Sequence, residues 1–569
     1  TPTASPRRPA SVSGVSVHMQ DSKNLVLAIV LCLAILFGWG RLAEYMGWVQ
    51  KPDPAVVAQQ QEAVRQEAVK AEQRKEEAAQ AATLPVFTPA PGRDLTVDSP
   101  LYEAVFYTGG GPLRSFKLKK FQTGLAPDSP LVNMVDERTA AVAPLGLVIN
   151  SQPSWSTGQW SLDGGEQGLK LNAGQEGSLR LVGMVDNLRV VRELTFNADS
   201  YLIKEKIRLI NAGEQPRSVR VGYTVASDAS NAAGGRYDSM RVAWDNDGSL
   251  SEESSGKTLE STGVQATGKI YWAGAMSTYF LAAVLPGEIN DVTVKGLLQK
   301  TVYRTAVEEP ESMLAPGQEK TLTVSYWLGP KERAQLTAVS EQLAKSIDLG
   351  MFSIIAKGLL WLLEFFHKYV NNWGLAIILL TVVIKAVFWP LTAKSYASME
   401  KMKKLQPMMT AIREKHKDNK ELMNKEVMAL YKTYGVNPAS GCVPILIQLP
   451  VFFGLYQALL TSIELRHAPF ITYLPFTDKL WLADLSAKDP FYITPIIMGL
   501  TMFLQQRMSP PATDPTQQKI MMFLPLIFTV LFLGFPAGLV IYWLVNNILS
   551  IFQQWLMMRK NKAAARAAG

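Results

Sequence analysis

A chain of 569 residues, 48% hydrophobic and carrying a net charge of +8, is too long for one soluble domain and leaves room for a membrane part beside a folded domain. Its two cysteines, Cys32 inside one apolar run and Cys442 at the edge of another, exclude a disulfide framework. The excess of Lys and Arg sits beside apolar runs, which points to membrane topology and anionic lipid and away from sequence-specific nucleic acid binding.

Residues 1–18 are rich in Ser, Pro and Val, end just before Met19, and read as an extension or tag outside the fold. Leu25 to Trp39 is apolar throughout, so 19–48 is expected to be an N-terminal transmembrane anchor. A cleaved signal peptide is the competing reading, and no small-x-small site follows closely enough to favour it. Residues 49–83 turn to Gln, Glu, Ala, Lys and Arg, the composition of a polar, partly helical linker.

From 84 to 346 the pattern has period two, as in Arg189–Phe196, Tyr201–Ile210 and Thr321–Trp327, with turn residues at Gly109-Gly-Gly-Pro112 and Asn211-Ala-Gly213. Many short strands at this spacing predict a large all-β sandwich, closed by a helical stretch over Lys331–Ile347. The four histidines, His18, His367, His416 and His467, all fall outside this region, which removes His-based acid–base chemistry and His metal sites from it. Its Asp and Glu residues read as solvated or strand-capping.

Residues 347–371 predict an amphipathic helix lying in a membrane surface, because Ser353, Lys357, Glu364 and Lys368 recur at helical spacing opposite a broad apolar face. Residues 372–558 predict five spans, Trp373–Leu391, Cys442–Ile463, Phe491–Met508, Ile520–Phe535 and Pro536–Leu556, forming a five-helix core and making six with the anchor. Between the first two of the five, 393–435 predicts a helical hairpin with His416 and Lys417 in the turn. Its second helix starts at a capping-box-like Asp418-Asn-Lys-Glu421 and stops at Gly435. The loop Ala393–Gly441 holds ten Lys and Arg against five acids, and the tail 559–569 adds four basic residues and no acid. The positive-inside rule then places both segments and both termini in the cytoplasm, with the β domain on the far side.

Lys385 interrupts an otherwise apolar span, where a fixed cation costs about 2.5–3.5 kcal/mol on insertion scales. It lies six residues from Leu391, about 9 Å of helix, and Gln448 lies equally far inside the next span. Thr381 is one turn deeper than Lys385 on the same face, and Tyr542, Trp543, Asn546 and Asn547 approach on the last span. Convergence of these residues predicts a polar pocket in one half of the bilayer. The bland alternative is that Lys385 snorkels to the interface while the amides glue helices together. On the hairpin, Met399, Met402, Leu405, Met408 or Met409, and Ile412 trace an apolar stripe. It reads either as the hairpin seam or as a pliable surface for apolar clients. The sequence offers no catalytic constellation, no cofactor or metal motif and no Gly-x-x-x-x-Gly-Lys loop. A secondary transporter would call for internal repeats and paired ionisable residues at the midplane, and neither is present.

The chain resembles the YidC-type membrane protein insertases of the YidC/Oxa family. The resemblance runs through Asn372-Trp-Gly374, Leu405-Gln-Pro407, Val436-Asn-Pro438, Gly441-Cys-Val-Pro444 and Ile463-Glu-Leu-Arg-His-Ala-Pro-Phe470. It continues in Asp489-Pro490, Met508-Ser-Pro510, Asp514-Pro-Thr-Gln-Gln-Lys519 and Phe535-Pro-Ala-Gly-Leu-Val-Ile-Tyr542. Through Gly109-Gly-Gly111 and Gly329-Pro-Lys331 it extends to the β region, which implies the Gram-negative form with a large periplasmic domain. The resemblance implies an inner-membrane protein that acts on nascent membrane proteins through a groove open to cytosol and lipid. Its implied partners are the Sec translocon, the ribosome and membrane lipids. Lys385 stands where the family usually has Arg, Thr381 matches a groove threonine, and Trp543 replaces a common second Tyr after Tyr542.

Overall fold

The computed structural model describes residues 91–156, 159–163, 168–232, 238–288, 291–417, 419–436, 443–508 and 515–567. The extension, the anchor and the linker read from the sequence lie outside these residues.

The period-two segments are strands: β1 (Glu176–Val185), β2 (Leu188–Asn197), β3 (Leu202–Asn211), β4 (Val264–Met276) and β5 (Glu319–Pro330). They pair antiparallel in the order β1-β2-β3-β5. Asp186 and Asn187 close the first hairpin in left-handed backbone, φ 49° and 58°, as a two-residue loop between twisted strands requires. The first half of β4 pairs with Asp291–Gln299 and its second half with Phe280–Pro286. One strand therefore belongs to both halves of a sheet that has 14 strands among the described residues. Folded over as a sandwich, this sheet encloses Trp272, Trp327, Tyr201 and Phe196, and a five-stranded sheet containing Tyr102–Tyr107 and Leu113–Gln122 adds Tyr102 and Phe116 to the same core.

One expectation for this domain is corrected. Its acids are not all solvated or strand-capping, because Glu205 on β3 occupies an inward-facing slot between Ile203 and Ile207. Arg192, in the matching row of β2, is equally buried and grips it with two bonds, Nε to Oε1 at 2.5 Å and Nη2 to Oε2 at 3.1 Å. The guanidinium also donates to the carbonyls of Gly110 (2.5 Å) and Leu145 (2.6 Å), and the Tyr326 hydroxyl donates to Glu205 (3.0 Å). This cage explains the glycine turn. Gly110 and Gly111 have φ of 90° and 75°, and a Cβ on Gly111 would stand 2.8 Å from Arg192 Nη1.

The closing stretch after β5 is two short helices, Arg333–Val339 and Glu341–Ala344, rather than one. Ser340 divides them because its backbone is extended, which lets its hydroxyl accept from Leu343 N (3.0 Å) and cap the second. Lys331, at the exit of β5, is buried, with Nζ donating to the Ser277 carbonyl at 3.2 Å. Loss of solvation pulls its pKa from 10.5 to about 7; Arg241 adds to the shift, while Asp238, Glu252 and Asp348 oppose it. Because the folded pKa lies below the unfolded value, the unfolded chain binds more protons between them, and stability rises with pH from about 7 towards the ordinary lysine range. Thermal unfolding between pH 6.5 and 9 is expected to show this climb in the wild type. Lys331→Met is expected to remove that part of the slope and to be the more stable protein at the acidic end; equal slopes would refute the assignment.

The remainder is helical. α1 (Ser353–Val370), shorter than the 347–371 expected, buries Ala356, Leu360 and Leu363 and exposes Ile354, Trp361, Phe365 and Tyr369 alongside Lys357, Glu364 and Lys368. Asn371 ends it in left-handed backbone, and Asn372 caps the next helix by accepting from Leu375 N at 3.0 Å. That helix, α2 (Trp373–Lys415), is continuous for 43 residues and joins the expected span Trp373–Leu391 to the first helix of the hairpin without a break. Pro390 and Pro407 lie inside it, and beside them the hydroxyls of Thr392 and Thr410 bond carbonyls one turn back. Each proline removes one helical bond without ending the helix.

After the turn at His416 and Lys417, α3 (Lys420–Thr433) runs back to Gly435, whose φ of 61° stops it. Its cap is Asn419, accepting from Leu422 N at 3.0 Å, one residue beyond the expected Asp418, which lies outside the described residues. α4 (Val443–Thr461), α5 (Ile493–Met508) and α6 (Pro515–Phe532) follow. α7 (Ala537–Ala567) continues past the expected end of the last span, so the basic tail is helical up to Ala567. Among the described residues, α2 and the Ala537–Arg559 part of α7 are long and apolar enough to cross a membrane, and Ile447–Thr461 and Met521–Phe532 are shorter apolar pieces.

Candidate functional site

The helical core is built around Ile377, Leu380 and Ile384 of α2, Leu455 and Leu459 of α4, Met498 of α5 and Leu539, Val540 and Tyr542 of α7. Its outward faces are also apolar: Leu500, Phe503 and Leu504 on α5 and Leu526, Ile527 and Val530 on α6 are exposed. A helical body apolar both inside and outside suits lipid as its solvent. Close helix approach supports this, since a Cβ on Gly499 of α5 would stand 2.0 Å from Thr529 Oγ1 of α6.

One end of the core, beside the β domain, is sealed by the segment 463–490. Asn372 Nδ2 donates to the Phe470 carbonyl (3.2 Å), and the Phe470 ring rests on Gly374, where a Cβ would come within 2.2 Å. Asp489, almost fully buried, accepts from Trp481 Nε1 (3.0 Å), Phe491 N (3.0 Å), Thr494 N (2.7 Å) and Thr494 Oγ1 (2.8 Å), which fixes the loop to the start of α5. Ala537 N and Gly538 N donate to the carbonyls of Ala487 (2.7 Å) and Leu485 (2.9 Å). Arg466 joins this seal to the β domain through the Gln122 carbonyl at 2.9 Å. The motifs Asn372-Trp-Gly374, Ile463–Phe470, Asp489-Pro490 and Pro536-Ala-Gly538 are therefore parts of one plug.

Towards the other end, three helices bring the predicted polar residues together. Lys385 of α2 is partly buried, and its ammonium donates to Ser550 Oγ of α7 at 2.7 Å. Ser550 passes its own proton one turn back to the Asn546 carbonyl, also at 2.7 Å. The Asn546 amide oxygen accepts from Gln448 Nε2 of α4 at 3.3 Å, and Gln448 bonds the buried Tyr542 hydroxyl. Among the described residues no carboxylate pairs with Lys385. A chain of polar groups thus crosses α2, α7 and α4 inside an apolar body.

Two predicted members stand apart. Thr381 is fully buried, with its hydroxyl committed to the Ile377 carbonyl at 2.7 Å, so it helps wall the core and offers nothing to a visitor. Trp543 packs among Phe452, Phe528 and Phe532, with ring centroids 4.9 to 6.0 Å away, as an aromatic wall between α4, α6 and α7. Sequence reasoning missed Ser550, Gln553 and Gln554. Asn547 Nδ2 reaches Thr501 Oγ1 (3.4 Å) and Gln554 Nε2 the Met508 carbonyl (2.8 Å), tying α7 to α5, while Gln553 Nε2 donates to the Trp389 carbonyl (3.4 Å). The signal was available, because Asn546, Asn547, Ser550, Gln553 and Gln554 form a polar stripe at helical spacing.

The hairpin stripe divides between the two readings it allowed. Leu405 and Met409 are buried against Tyr431 and Val436, with Met402 packed beside them, so these three form the seam. Met399 is half-buried, and Met408 is exposed beside the Tyr434 hydroxyl.

Comparison with known proteins matches two family models to successive parts of the chain, with the boundary inside α1. Residues 94–362 match the family model described as YidC periplasmic domain, and residues 365–564 match that of the 60Kd inner membrane protein. Proteins named membrane protein insertase YidC are 55% identical in Nitratidesulfovibrio vulgaris (strain DP4), over 95% of this chain and 100% of that one, and 50% identical in Lawsonia intracellularis, with the same coverage. One from Geobacter sp. (strain M21) is 41% identical over 82% of this chain and 85% of its own. A solved active YidC insertase with its first transmembrane domain resolved covers 84% of this chain and 98% of its own, at 19% identity and a TM-score of 0.33. Full-length identity above half, together with family models spanning the β domain and the helical core, establishes that this chain belongs to the YidC family of membrane protein insertases.

Proposed function

We propose that this protein inserts newly made polypeptides into a bacterial inner membrane, and that the polar chain from Lys385 to Tyr542 lines the groove that receives them. The observation that carries this reading is a cation held within apolar helices by a hydroxyl, with no carboxylate beside it among the described residues. A fixed positive charge there lowers the free energy of a hydrated, acidic client tail part-way into the bilayer. With the β-domain end covered by the 463–490 segment, the path in this reading has one entrance, at the polar end. A client's apolar segment then leaves sideways against lipid along α5 and α6. No covalent step and no cofactor is part of this scheme.

In the same reading, the anchor 19–48 and the spans of 372–558 make six crossings. The basic hairpin and tail lie in the cytoplasm and the β domain in the periplasm. Exposed Met408, with Met399, offers apolar contact to clients arriving at the hairpin, whose lysines and arginines suit a weak electrostatic contact with ribosomes. The protein works alone or beside the Sec translocon. Purified protein in liposomes is expected to accelerate insertion of a small one- or two-span client; insertion no faster than into empty liposomes would overturn the proposal.

A further inference from the structure

We propose that Ser550 is a positioning residue that parks the groove cation and governs how readily it is handed to an acidic client. This inference rests on the groove reading above and deepens it. Ser550 is almost fully buried on α7 and is the described hydrogen-bond partner of the Lys385 ammonium, at 2.7 Å.

The hydroxyl's own geometry fixes its role. Its proton is committed to the Asn546 carbonyl one turn back, at 2.7 Å, so its lone pairs are what face Lys385. A hydroxyl free to rotate could donate or accept; this one is held as an acceptor, which is what an ammonium needs. The same Asn546 is held through its side chain by Gln448, so the parking place is braced from α4 as well. Lysine carries its charge on a flexible stem and, without a partner, relaxes towards cytosolic water. Ser550 holds it inside, yet with a neutral group that a client carboxylate displaces. An acid in that position would pair with the cation permanently and close the site to clients.

The experiment compares Ser550→Ala, Ser550→Thr, Ser550→Asp and Lys385→Gln in the full-length protein, reconstituted in liposomes with two clients that differ only in whether the inserted tail is acidic or neutral. The readout is the ratio of acidic-tail to neutral-tail insertion, which a merely packing role would not move. Ser550→Ala is expected to lower the ratio about fivefold and Ser550→Asp at least as much, whereas Ser550→Thr, which keeps the hydroxyl, restores it. If Lys385→Gln lowers the ratio and Ser550→Ala leaves it at the wild-type value, Ser550 has no positioning role and the groove reading survives. If Lys385→Gln also leaves it unchanged, the groove cation itself is refuted and this inference falls with it. A uniform loss for both clients with Ser550→Ala, not rescued by Ser550→Thr, assigns Ser550 to packing alone and overturns the proposal.

Discussion

Lys385→Glu is expected to cut client insertion at least tenfold, while Lys385→Arg stays within about threefold of the wild type; tenfold corresponds to about 1.4 kcal/mol. The direction follows from the groups around the ammonium. Ser550 presents lone pairs, because its proton is bound to the Asn546 carbonyl, and so it meets a glutamate as an acceptor facing an acceptor. A new anion also repels the acidic client tails that the lysine attracts, and a unit charge pair at 4 Å is worth about 4 kcal/mol at an effective dielectric near 20. Arginine keeps the charge, has donors to spare for one hydroxyl, and differs mainly in shape. Insertion by liposome-reconstituted variants measures the effect. Equal activity of the two variants would mean that Lys385 only snorkels to the interface.

The second large effect lies in the β domain. Arg192→Ala is expected to destabilise that domain by about 3–5 kcal/mol, the usual result of removing one member of a buried ion pair. Glu205 would lose both guanidinium bonds while remaining fully buried, and the carbonyls of Gly110 and Leu145 would lose their donor. Tyr326 would be left as the remaining side-chain partner of that carboxylate among the contacts described above. For a domain of this size the shift in unfolding temperature is about 10 °C. The near-ultraviolet circular dichroism of the detergent-solubilised full-length protein follows the buried aromatic residues as they melt. Replacing both partners, Arg192→Met with Glu205→Leu, is expected to recover much of the loss, since no charge is then left stranded. A single substitution costing under about 1 kcal/mol would show that the cage is not holding the two sheets in register.

These two residues mark how far local reading reaches. The alternation of β2 and β3 was visible in the sequence, and so were the faces it defines. In the structure positions 192 and 205 fall in the inward rows of those strands, whereas amino-acid type alone had argued for solvent. The pairing decides between those readings, and it depends on a register that places Arg192 beside Glu205 and under the Gly109–Gly111 turn. Lys385 is the converse case. Its oddity within an apolar span was plain; depth placed Gln448 level with it, and Tyr542 and Asn546 were expected to approach on the last span, where hydrogen bonds now link Gln448 to Asn546. Ser550 was overlooked because a lone serine within a helix carries no signal by itself, although the stripe it shares with Asn546 and Gln554 was there to be counted. Thr381 shares a helical face with Lys385, yet 3.6-fold periodicity cannot say which part of that face a neighbouring helix covers.

By itself the sequence determined the kind of object this is: a strand-rich domain followed by apolar helices, a basic hairpin, and a charge where lipid should tolerate none. Those properties are local, written in the spacing and polarity of consecutive residues. The tertiary structure alone decided that α2 runs unbroken through Pro390, that four separated motifs make one plug, and that the cation rests on Ser550. Each of these depends on contacts between residues far apart in the chain, such as the 165 positions separating Lys385 from Ser550. Their strength comes from which atoms packing brings within hydrogen-bond reach.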